Sequence, residues 1–307
     1  MALAARVIVV TGAGGGIGRA AVLTCVERGA RVLAADRNKQ SVEQTVELAN
    51  RMPADGRVAA VSCEVDVTDE DSVQNMIRCC VQHFGRVDCA LNAAGIEGGR
   101  CELHKMSVDN FDSVMNVNTK GVFLCMRAQL TQMLEQLPPS PLLDIASSLR
   151  EAKVARTDKP PIDTLNYSIV NLASTAAQAS MPEFAAYSAS KHAILGLTRT
   201  AAKEYATKGI RVNALCPSTT DTPMVQRFAE QWPEWQAKQN ASFPVGRIGR
   251  AEEGEPPTIL CVFCVRPVVS HSSRVALAVA EMVVFLFSAA CPMMSGACLT
   301  IDGALTS

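Results

Sequence analysis

Apolar, mostly β-branched residues run together near the start of the chain, at residues 7–10. Such a short continuous run predicts a strand buried on both faces, as in a parallel sheet. A glycine-rich turn follows, residues from Ile17 onward predict a helix, and an apolar run at 30–35 predicts the next strand. With 48% hydrophobic residues, this order predicts an α/β fold. We expect one doubly wound domain over residues 1–307, with a central parallel sheet and helices on both faces.

Glycines punctuate the turn between the first strand and the first helix. Gly12, Gly16 and Gly18 would let the backbone approach a bound group and let the helix pack closely on the sheet. The free amides at the helix start, around Ile17, would hold phosphate oxygens. Because a strand precedes the loop and a helix follows it, the segment predicts a dinucleotide-binding turn, with a merely structural turn as the alternative.

The second predicted strand ends at an acidic residue, Asp36. A carboxylate at this place can accept hydrogen bonds from the ribose hydroxyls of adenosine, and it would repel a 2'-phosphate. Gly15 precedes the second glycine of the motif, so no basic side chain waits there for a phosphate. Arg37, which directly follows Asp36, weakly favours NADP. The pattern therefore favours NAD over NADP.

Tyr187 and Lys191 lie four residues apart, with Ser174 thirteen residues upstream of the tyrosine. On a helix, positions i and i+4 project from the same face. A lysine ammonium beside the tyrosine would lower the pKa of its hydroxyl, and the serine hydroxyl would fix the same substrate oxygen. Together the three predict a proton-transfer device for an alcohol or a carbonyl. Two surface residues on an ordinary helix are the plain alternative.

Composition excludes several classes of function. A net charge of −1 gives no electrostatic footprint for nucleic acid or for an anionic membrane. The twelve cysteines are scattered and only residues 261–264 have ligand-like spacing, so we expect no metal site. Many reduced cysteines indicate a cytoplasmic protein. The apolar N-terminus predicts a strand rather than a signal peptide, and the apolar stretch 275–291 contains Glu281 and is short for a membrane span.

These motifs together resemble the short-chain dehydrogenase/reductase family, over residues 6 to about 250 and again from about 275 to 303. Each motif is modest alone, but all of them stand in the family's order. The chain also looks like family members from secondary-metabolite pathways. The matching residues are Thr11 to Gly18, Asp66, Asn92 to Gly95, Asn118, Ser174, Tyr187 and Lys191, followed by a strand at 211–217.

The resemblance implies a Rossmann-type fold and a role for each matching residue. For oxidation, Tyr187 as phenolate takes the hydroxyl proton, Ser174 orients the substrate oxygen, Lys191 lowers the tyrosine pKa, and Asn118 keeps a proton-relay water in place. Asp66 falls beside the adenine amino group, and Thr222 contacts the carboxamide. Ser218 stands where the family commonly has glycine. The implied cofactor-binding residues are Gly12, Gly16, Ile17, Gly18, Asp36, Asp66, Asn92, Tyr187, Lys191 and Thr222.

The stretch 224–250 is expected to form a substrate flap. It carries Trp232, Trp235, Phe228 and Phe243, in a chain with only 5% aromatic residues. This concentration suggests a wall for a fairly large apolar substrate. Packing of the flap helices on the core is the alternative explanation.

Two segments exceed the family's usual length. We expect 138–168, which mixes prolines with charges, to be a long surface insertion. The apolar, proline-broken stretch 254–274 interrupts the expected junction before the last helix. We interpret it as translated intron sequence or a gene-model error, with a genuine loop over the substrate mouth or a partner interface as the alternative.

The sequence therefore predicts an NAD(P)-dependent oxidoreductase that transfers hydride between the cofactor and a secondary alcohol or ketone. We expect oxidation, with NAD, of a bulky apolar alcohol of terpenoid, steroid-like or polyketide type. An NADPH-dependent ketone or 3-oxoacyl reductase is the first alternative, and a non-catalytic cofactor-sensing protein is the second. The family resemblance also implies a homodimer or homotetramer.

Overall fold

In the part of the chain that the computed structural model describes, seven parallel strands form one sheet, in the order β3-β2-β1-β4-β5-β6-β7. The structure describes residues 3–53, 58–136, 167–220, 222–232, 234 and 274–302. The predicted doubly wound α/β fold is confirmed. The strands are β1 Val7–Thr11, β2 Arg31–Asp36, β3 Ala60–Glu64, β4 Cys89–Asn92, β5 Tyr167–Leu172, β6 Ile210–Pro217 and β7 Cys298–Ile301.

The described α-helices lie between these strands and cover both faces of the sheet. They are α1 Gly16–Glu27, α2 Lys39–Asn50, α3 Glu70–Phe84, α4 Val108–Met115, α5 Gly121–Glu135, α6 Ala185–Tyr205, α7 Pro223–Gln231 and α8 Arg274–Phe287. A π-helical turn, Asn116–Lys120, joins α4 to α5. Among the helices that the structure describes, none combines the length and apolar character that crossing a bilayer requires.

The apolar runs form strands because both faces of the sheet are covered. Every residue of β1, β4 and β6 is buried, as continuous apolar strands require. One core layer packs residues of α3, α5 and α6 against the sheet. The other packs residues of α1, α2 and α8 on the opposite face. The site is therefore built on a sheet that is held from both sides.

The strand order reverses between β1 and β4, which are direct neighbours in the sheet. In an open α/β sheet such a switch point leaves a crevice outside the carboxyl ends of the strands, where ligands bind. Thr11, at the end of β1, is in register with Ala35 of β2 and with Asn92 of β4. The glycine-rich turn that follows Thr11 therefore opens directly onto this crevice.

Arg211 of β6 anchors the end of α8. Its guanidinium donates to the backbone oxygens of Leu286 at 2.6 Å and Ser288 at 3.2 Å. These carbonyls close a helix, where backbone acceptors lack intrahelical partners. On the other side of α8, Glu281 pairs with Arg28 at 2.7 Å. The two contacts fix the helix that covers β5 and β6.

Several sequence-based expectations lie largely outside the described residues. The segment 138–168 is described only at its last two positions, and 254–274 only at its last. Within 224–250, Trp232 is described, whereas Trp235, Phe243 and the side chain of Phe228 lie outside the description. The predicted insertions and aromatic flap therefore stay predictions.

Candidate active site

A cavity of about 670 Å³ lies at the carboxyl ends of strands β1 to β6. This volume is typical of sites for cofactors and small molecules. Two of the predicted site residues, Asn92 and Asn118, do not line it. The predicted residues that line it are Gly12, Gly16, Ile17, Gly18, Asp36, Asp66, Ser174, Tyr187, Lys191 and Thr222.

The glycine-rich turn is packed too tightly for larger residues. Gly12 has φ +70°, and a Cβ there would lie 2.8 Å from the backbone of Ala93. A Cβ on Gly18 would lie 2.0 Å from the Gly12 carbonyl oxygen. Gly16 has φ +51°, with the Thr222 side chain 3.1 Å from where its Cβ would be. The sequence therefore places glycine where the backbone bends back on itself and approaches a second loop.

The N-terminus of α1 faces the cavity with free amides. Gly15 caps the helix without a side-chain hydrogen bond, and the first turn contains no acidic residue. Gly15, Gly16, Ile17 and Gly18 all line the cavity. Unpaired amides at a helix N-terminus bind anionic oxygens, and the helix dipole adds to this preference. The residues present fit the pyrophosphate of a dinucleotide.

Asp36 is fixed at the far end of the same cavity. Its carboxylate accepts from the backbone amides of Gly14 and Asn38, both at 2.9 Å. Arg19, which the sequence analysis did not consider, also lines the cavity. Its guanidinium donates to the Gly14 oxygen at 2.6 Å and to Thr45 Oγ1 at 2.9 Å. Arg19 is thus held by the protein rather than directed to a ligand.

Asp66 follows β3 and adjoins the Asp36 end of the cavity. Its Oδ1 accepts from the Thr68 amide at 2.9 Å and from the Thr68 hydroxyl at 2.8 Å. These hydrogen bonds, more than any nearby charge, lower the pKa of the Asp66 carboxyl. The residue is therefore a fixed carboxylate, suited to accept a hydrogen bond from an amino group.

Asn92 lies beneath the site. Its buried side chain donates to Asn171 Oδ1 at 2.9 Å and exchanges hydrogen bonds with Gln129 at 3.1 and 2.8 Å. The geometry thus gives Asn92 a part in tying β4 to β5 and α5, and it does not favour the predicted direct contact with a cofactor. The partners Gln129 and Asn171 were missed from sequence because they lie 37 and 79 residues away.

Ser174, Tyr187 and Lys191 converge in the cavity, although they come from two elements. Ser174 follows β5 and caps a short turn by accepting from the Ala176 amide at 3.1 Å. Tyr187 and Lys191 lie one turn apart on α6, as their spacing predicts. The Lys191 Nζ lies 5.5 Å from the centroid of the tyrosine ring and donates to the Leu172 oxygen at 2.8 Å.

Burial and neighbouring groups shift the pKa values of Tyr187 and Lys191. Burial raises the pKa of Tyr187, a hydrogen bond with Ser174 lowers it, and the charge of Glu97 raises it. The Lys191 ammonium next to this ring is held by the Leu172 oxygen. The pKa of Lys191 itself is lowered to about 8 by burial. The expectation that Lys191 lowers the tyrosine pKa stays a prediction.

Asn118 is fully buried in the π-helical turn before α5. Its amide accepts from the Ile96 nitrogen and donates to the Ile96 oxygen, both at 2.8 Å, and it donates to Ser190 Oγ at 3.0 Å. Ser190 Oγ in turn donates to the backbone carbonyl oxygen of Tyr187 at 2.7 Å. Asn118 therefore joins the loop after β4 to the catalytic helix. Its predicted part in a proton relay stays a prediction.

The loop after β4 supplies a residue that sequence reasoning missed. Glu97 lines the cavity and is close enough to Tyr187 to affect its pKa. Met181, Phe184 and Val225 line the same region, whereas Trp232 is not among the residues that line it. The described wall here thus combines apolar side chains with the Glu97 carboxylate and, on α7, with Arg227. Only its position next to the Asn92 to Gly95 motif could have indicated Glu97.

Comparison with known families matches most of the chain. The sequence model described as "short chain dehydrogenase" matches residues 6–149. The one described as "Enoyl-(Acyl carrier protein) reductase" matches residues 152–257.

Curated relatives are similar over nearly their full length. Short-chain dehydrogenase RED2 of Pyricularia oryzae is 34% identical over 95% of this chain and 93% of its own. A 2,5-dichloro-2,5-cyclohexadiene-1,4-diol dehydrogenase of Sphingobium indicum is 31% identical over 99% and 98%. The 3-oxoacyl-[acyl-carrier-protein] reductase FabG of Thermotoga maritima is 31% identical over 99% of each chain.

Solved structures share the fold. Levodione reductase superposes with a TM-score of 0.76 at 26% identity, covering 98% of this chain and 97% of its own. A 3-ketoacyl-(acyl-carrier-protein) reductase from Brucella melitensis, complexed with NADH, gives a TM-score of 0.73 at 25% identity, with full coverage of both chains.

Proposed function

The chain belongs to the short-chain dehydrogenase/reductase family of NAD(P)-dependent alcohol and ketone oxidoreductases, and we propose that it oxidises a bulky, largely apolar secondary alcohol with NAD. One arrangement carries the proposal. The glycine-rich loop, Asp36 and the Ser174–Tyr187–Lys191 cluster line a single cavity. A nicotinamide dinucleotide bound to the first two would reach the third.

The cofactor would be held along the carboxyl edge of the sheet. The amides of Gly12, Gly16, Ile17 and Gly18 would bind its phosphates. Asp36 would accept from the adenine ribose, Asp66 would accept from the adenine amino group, and Thr222 would contact the carboxamide. When bound, the nicotinamide exchanges a hydride with the substrate carbon.

The preference for NAD rests on charge at the ribose end of the cavity. The Asp36 carboxylate would repel a 2'-phosphate, and Gly15 offers no cation. Arg19, the nearest basic residue of the motif, already binds Gly14, Ser41 and Thr45. A 2'-phosphate would therefore meet a fixed negative charge without a free guanidinium from the loop.

Proton transfer is assigned to Tyr187. As phenolate it accepts the substrate hydroxyl proton in oxidation, and as phenol it returns a proton in reduction. Ser174, which lines the cavity and hydrogen-bonds to the tyrosine, would orient the same substrate oxygen. Asn118 and Ser190 hold the backbone of Tyr187, so the hydroxyl keeps its position.

A cyclic alcohol suits the substrate half of the cavity. Met181, Phe184 and Val225 give it apolar walls, beside the catalytic hydroxyls. Two similar proteins carry names that refer to cyclic substrates, a cyclohexadiene diol dehydrogenase and levodione reductase. Terpenoid, steroid-like and polyketide alcohols are the bulky members of this chemical class that we propose to test.

An NADPH-dependent ketone or 3-oxoacyl reductase is the second candidate. Arg37, exposed beside Asp36 at the edge of the cavity, favours it. Its guanidinium would attract a 2'-phosphate. We prefer the first candidate because two backbone amides hold the Asp36 carboxylate in place, where it would repel the 2'-phosphate.

Titration of the full 307-residue chain with NADH, with NADPH as competitor, tests the proposal. We expect NADH to bind at least about tenfold more tightly, which corresponds to about 1.4 kcal/mol. Turnover of cyclohexanol and of a bicyclic terpenoid alcohol should then proceed with NAD. Tighter binding of NADPH would favour the reductase, and absence of binding by both would overturn the cofactor assignment.

Asp36→Asn sharpens the test because it removes the charge and keeps an oxygen acceptor. The ratio of the dissociation constants of NADPH and NADH should fall by about tenfold in this variant. Asp112→Asn, at an exposed position of α4, is the matched control and should leave this ratio unchanged.

A homo-oligomer in a reducing compartment completes the proposal. Apolar side chains of Val108, Phe111 and Phe123 are exposed on α4 and α5, which supports burial by another copy. The ten cysteines that the structure describes are all free thiols, which supports a cytoplasmic location.

A further inference from the structure

Arg100 is bound by two carboxylates that play no part in the mechanism above. Its Nε donates to Glu183 Oε2 at 2.7 Å, and its NH2 group lies 2.6 Å from the same oxygen. Its NH1 group lies 3.3 Å from Glu234 Oε1. The arginine side chain is only 18% exposed, whereas that of Glu234 is 60% exposed. The Glu183 contact is therefore the stronger arm, and the Glu234 contact the more easily screened one.

The Glu183 arm holds a strained stretch of backbone. Glu183 has φ +68° and Ser180 has φ +56°, a conformation that non-glycine residues rarely adopt. The backbone carbonyl oxygen of Glu183 also accepts a hydrogen bond from the Cys101 amide at 3.0 Å. Side chain and backbone of Glu183 are thus both held by the loop that carries Arg100. Such a conformation persists only where its surroundings determine it.

The loop of Arg100 is itself anchored on α4. Gly99 donates to Asn110 Oδ1 at 2.9 Å, and Asn110 Nδ2 donates back to the Gly99 oxygen at 3.4 Å. Gly98, at φ +74°, packs so closely that a Cβ would lie 2.5 Å from Val114. Arg100 therefore projects from a fixed support.

The three segments that Arg100 joins are the walls of the substrate half of the cavity. The loop before it carries Ile96 and Glu97. The stretch at Glu183 carries Met181 and Phe184, and α6 with Tyr187 begins two residues later. Glu234 follows α7, where Val225 lines the cavity.

Resting on the function proposed above, we propose that Arg100 is a positioning residue that clamps these three walls together, with Glu183 fixing the approach to Tyr187 and Glu234 holding the end of α7 over the substrate. The guanidinium fork suits this task because it binds two carboxylates at once in fixed directions. A lysine has neither the planarity nor the second arm.

Tryptophan fluorescence tests the clamp without any turnover. The chain has two tryptophans, Trp232 and Trp235, and Glu234 lies between them in sequence. Acrylamide quenching should rise about twofold in Arg100→Met and in Glu234→Gln, because release of this segment exposes the half-buried Trp232 indole. High salt should raise quenching in the wild type and leave Glu234→Gln unchanged, since it screens a contact that the variant already lacks.

Arg51→Met is the matched control. Arg51 is also paired with a glutamate, Glu47, but the pair lies exposed at the end of α2 and does not line the cavity. Its removal should leave quenching and turnover at wild-type values. If the fluorescence of Arg100→Met and Glu234→Gln is quenched no more than that of this control, the clamp is overturned. This result does not depend on which substrate the enzyme uses.

Kinetics separate positioning from stability. For Arg100→Met we expect kcat/KM to fall about tenfold or more, with NADH affinity and the melting temperature near wild type. Glu234→Gln should raise KM several-fold and leave kcat unchanged, whereas Glu183→Gln should lower kcat. Arg100→Lys should restore part of the loss. A fall in kcat/KM that merely tracks lost stability would overturn the proposal.

Failure of the proposed function gives a different pattern. A wild type that binds NADH but oxidises none of the alcohols would contradict the substrate assignment and leave the quenching differences intact. Wild-type turnover with unchanged quenching in Arg100→Met would contradict the clamp alone.

Discussion

Burial and a neighbouring carboxylate act on Tyr187 in the same direction. Desolvation raises the pKa of its hydroxyl, and the negative charge of Glu97 raises it as well. Oxidation of an alcohol needs the phenolate, so a higher tyrosine pKa moves the active range to higher pH. We therefore expect Glu97 to influence the pH dependence of the reaction through its charge, without taking part in hydride transfer.

Glu97→Gln should shift the acid limb of kcat/KM for oxidation to lower pH. The amide keeps the shape of the side chain and removes the charge that opposes the phenolate. The measurement is a pH profile of initial rates with NAD and cyclohexanol. Glu135→Gln, at an exposed position near the end of α5, should leave the profile in place. A limb that does not move, or that moves to higher pH, would contradict the assigned charge effect.

Lys191 carries a cost in stability. Its pKa is lowered from 10.5 to about 8 by burial, so the folded protein binds fewer protons than the unfolded chain between these values. Stability therefore rises with pH across this window, and below pH 8 the buried ammonium opposes folding by its full amount. Active-site residues that reduce stability for the sake of function are common.

Lys191→Met should raise the free energy of unfolding at pH 7 by about 2 kcal/mol, while kcat falls by orders of magnitude. This gain is smaller than the free energy that corresponds to the pKa shift of Lys191, because the substitution also removes the hydrogen bond to the Leu172 oxygen. Urea unfolding at pH 7 and at pH 10.5 measures it, and the gain should largely disappear at the higher pH. Lys203→Met, exposed on the same helix, is the control. A variant less stable than wild type at pH 7 would refute the burial cost.

Individual residues of the site were predictable where local spacing defines them. The four-residue separation of Tyr187 and Lys191 places them one turn apart on α6, as predicted. The Glu97 effect and the Lys191 contact with Leu172 were not predictable, because they depend on where separate loops meet. Arg100 shows the limit clearly: its partners lie 83 and 134 residues away in sequence.

At the scale of elements, the turn between β1 and α1 depends on the absence of side chains. A Cβ on Gly18 would lie 2.0 Å from the Gly12 oxygen and 2.6 Å from the Gly12 carbonyl carbon. Both atoms are backbone, so no rotamer change relieves the clash. The loop itself must move, and with it the amides at the start of α1.

Gly18→Ala should therefore weaken NADH binding by about tenfold or more and lower the free energy of unfolding by about 1–3 kcal/mol. NADH titration and urea unfolding measure the two effects. Gly196→Ala is the matched control: it lies inside α6, and a Cβ there meets no atom within 4 Å. That variant should gain about 0.5–1 kcal/mol, because alanine favours helix. Equal behaviour of the two variants would contradict the close packing of the loop.

Whole elements were predictable because parallel strands must be buried on both faces. The apolar run at 7–10 became β1, which extends by one residue to Thr11. The apolar stretch 275–291 extends further than α8, which ends at Phe287, where Arg211 binds its final carbonyls. The apolar residues beyond that point continue the pattern without continuing the helix. A helix end that is set by a distant arginine leaves no local signal.

The whole molecule carries apolar surface that its own fold does not cover. Val108 and Phe111 lie one turn apart on α4 and are 73% and 39% exposed, and Phe123 at the start of α5 is 44% exposed. Phe123 also stacks with Arg127, whose guanidinium lies 5.5 Å from the ring centroid. Exposed aromatic residues beside an arginine are typical of the energetic centre of an interface. This surface is the one we expect a second copy to bury.

Phe123→Asp should dissociate the oligomer, because it places a charge on an exposed aromatic position that we expect the second copy to bury. The monomer should stay folded, since the new carboxylate lies beside Arg127 and the position is already exposed. Sedimentation velocity at micromolar protein, together with thermal unfolding, distinguishes dissociation from misfolding. Leu48→Asp, at a position of α2 that is 43% exposed, is matched in exposure and should leave the oligomer intact. A wild type that sediments as a monomer would contradict the oligomer itself, whereas a Phe123→Asp variant that stays assembled would place the interface on another face.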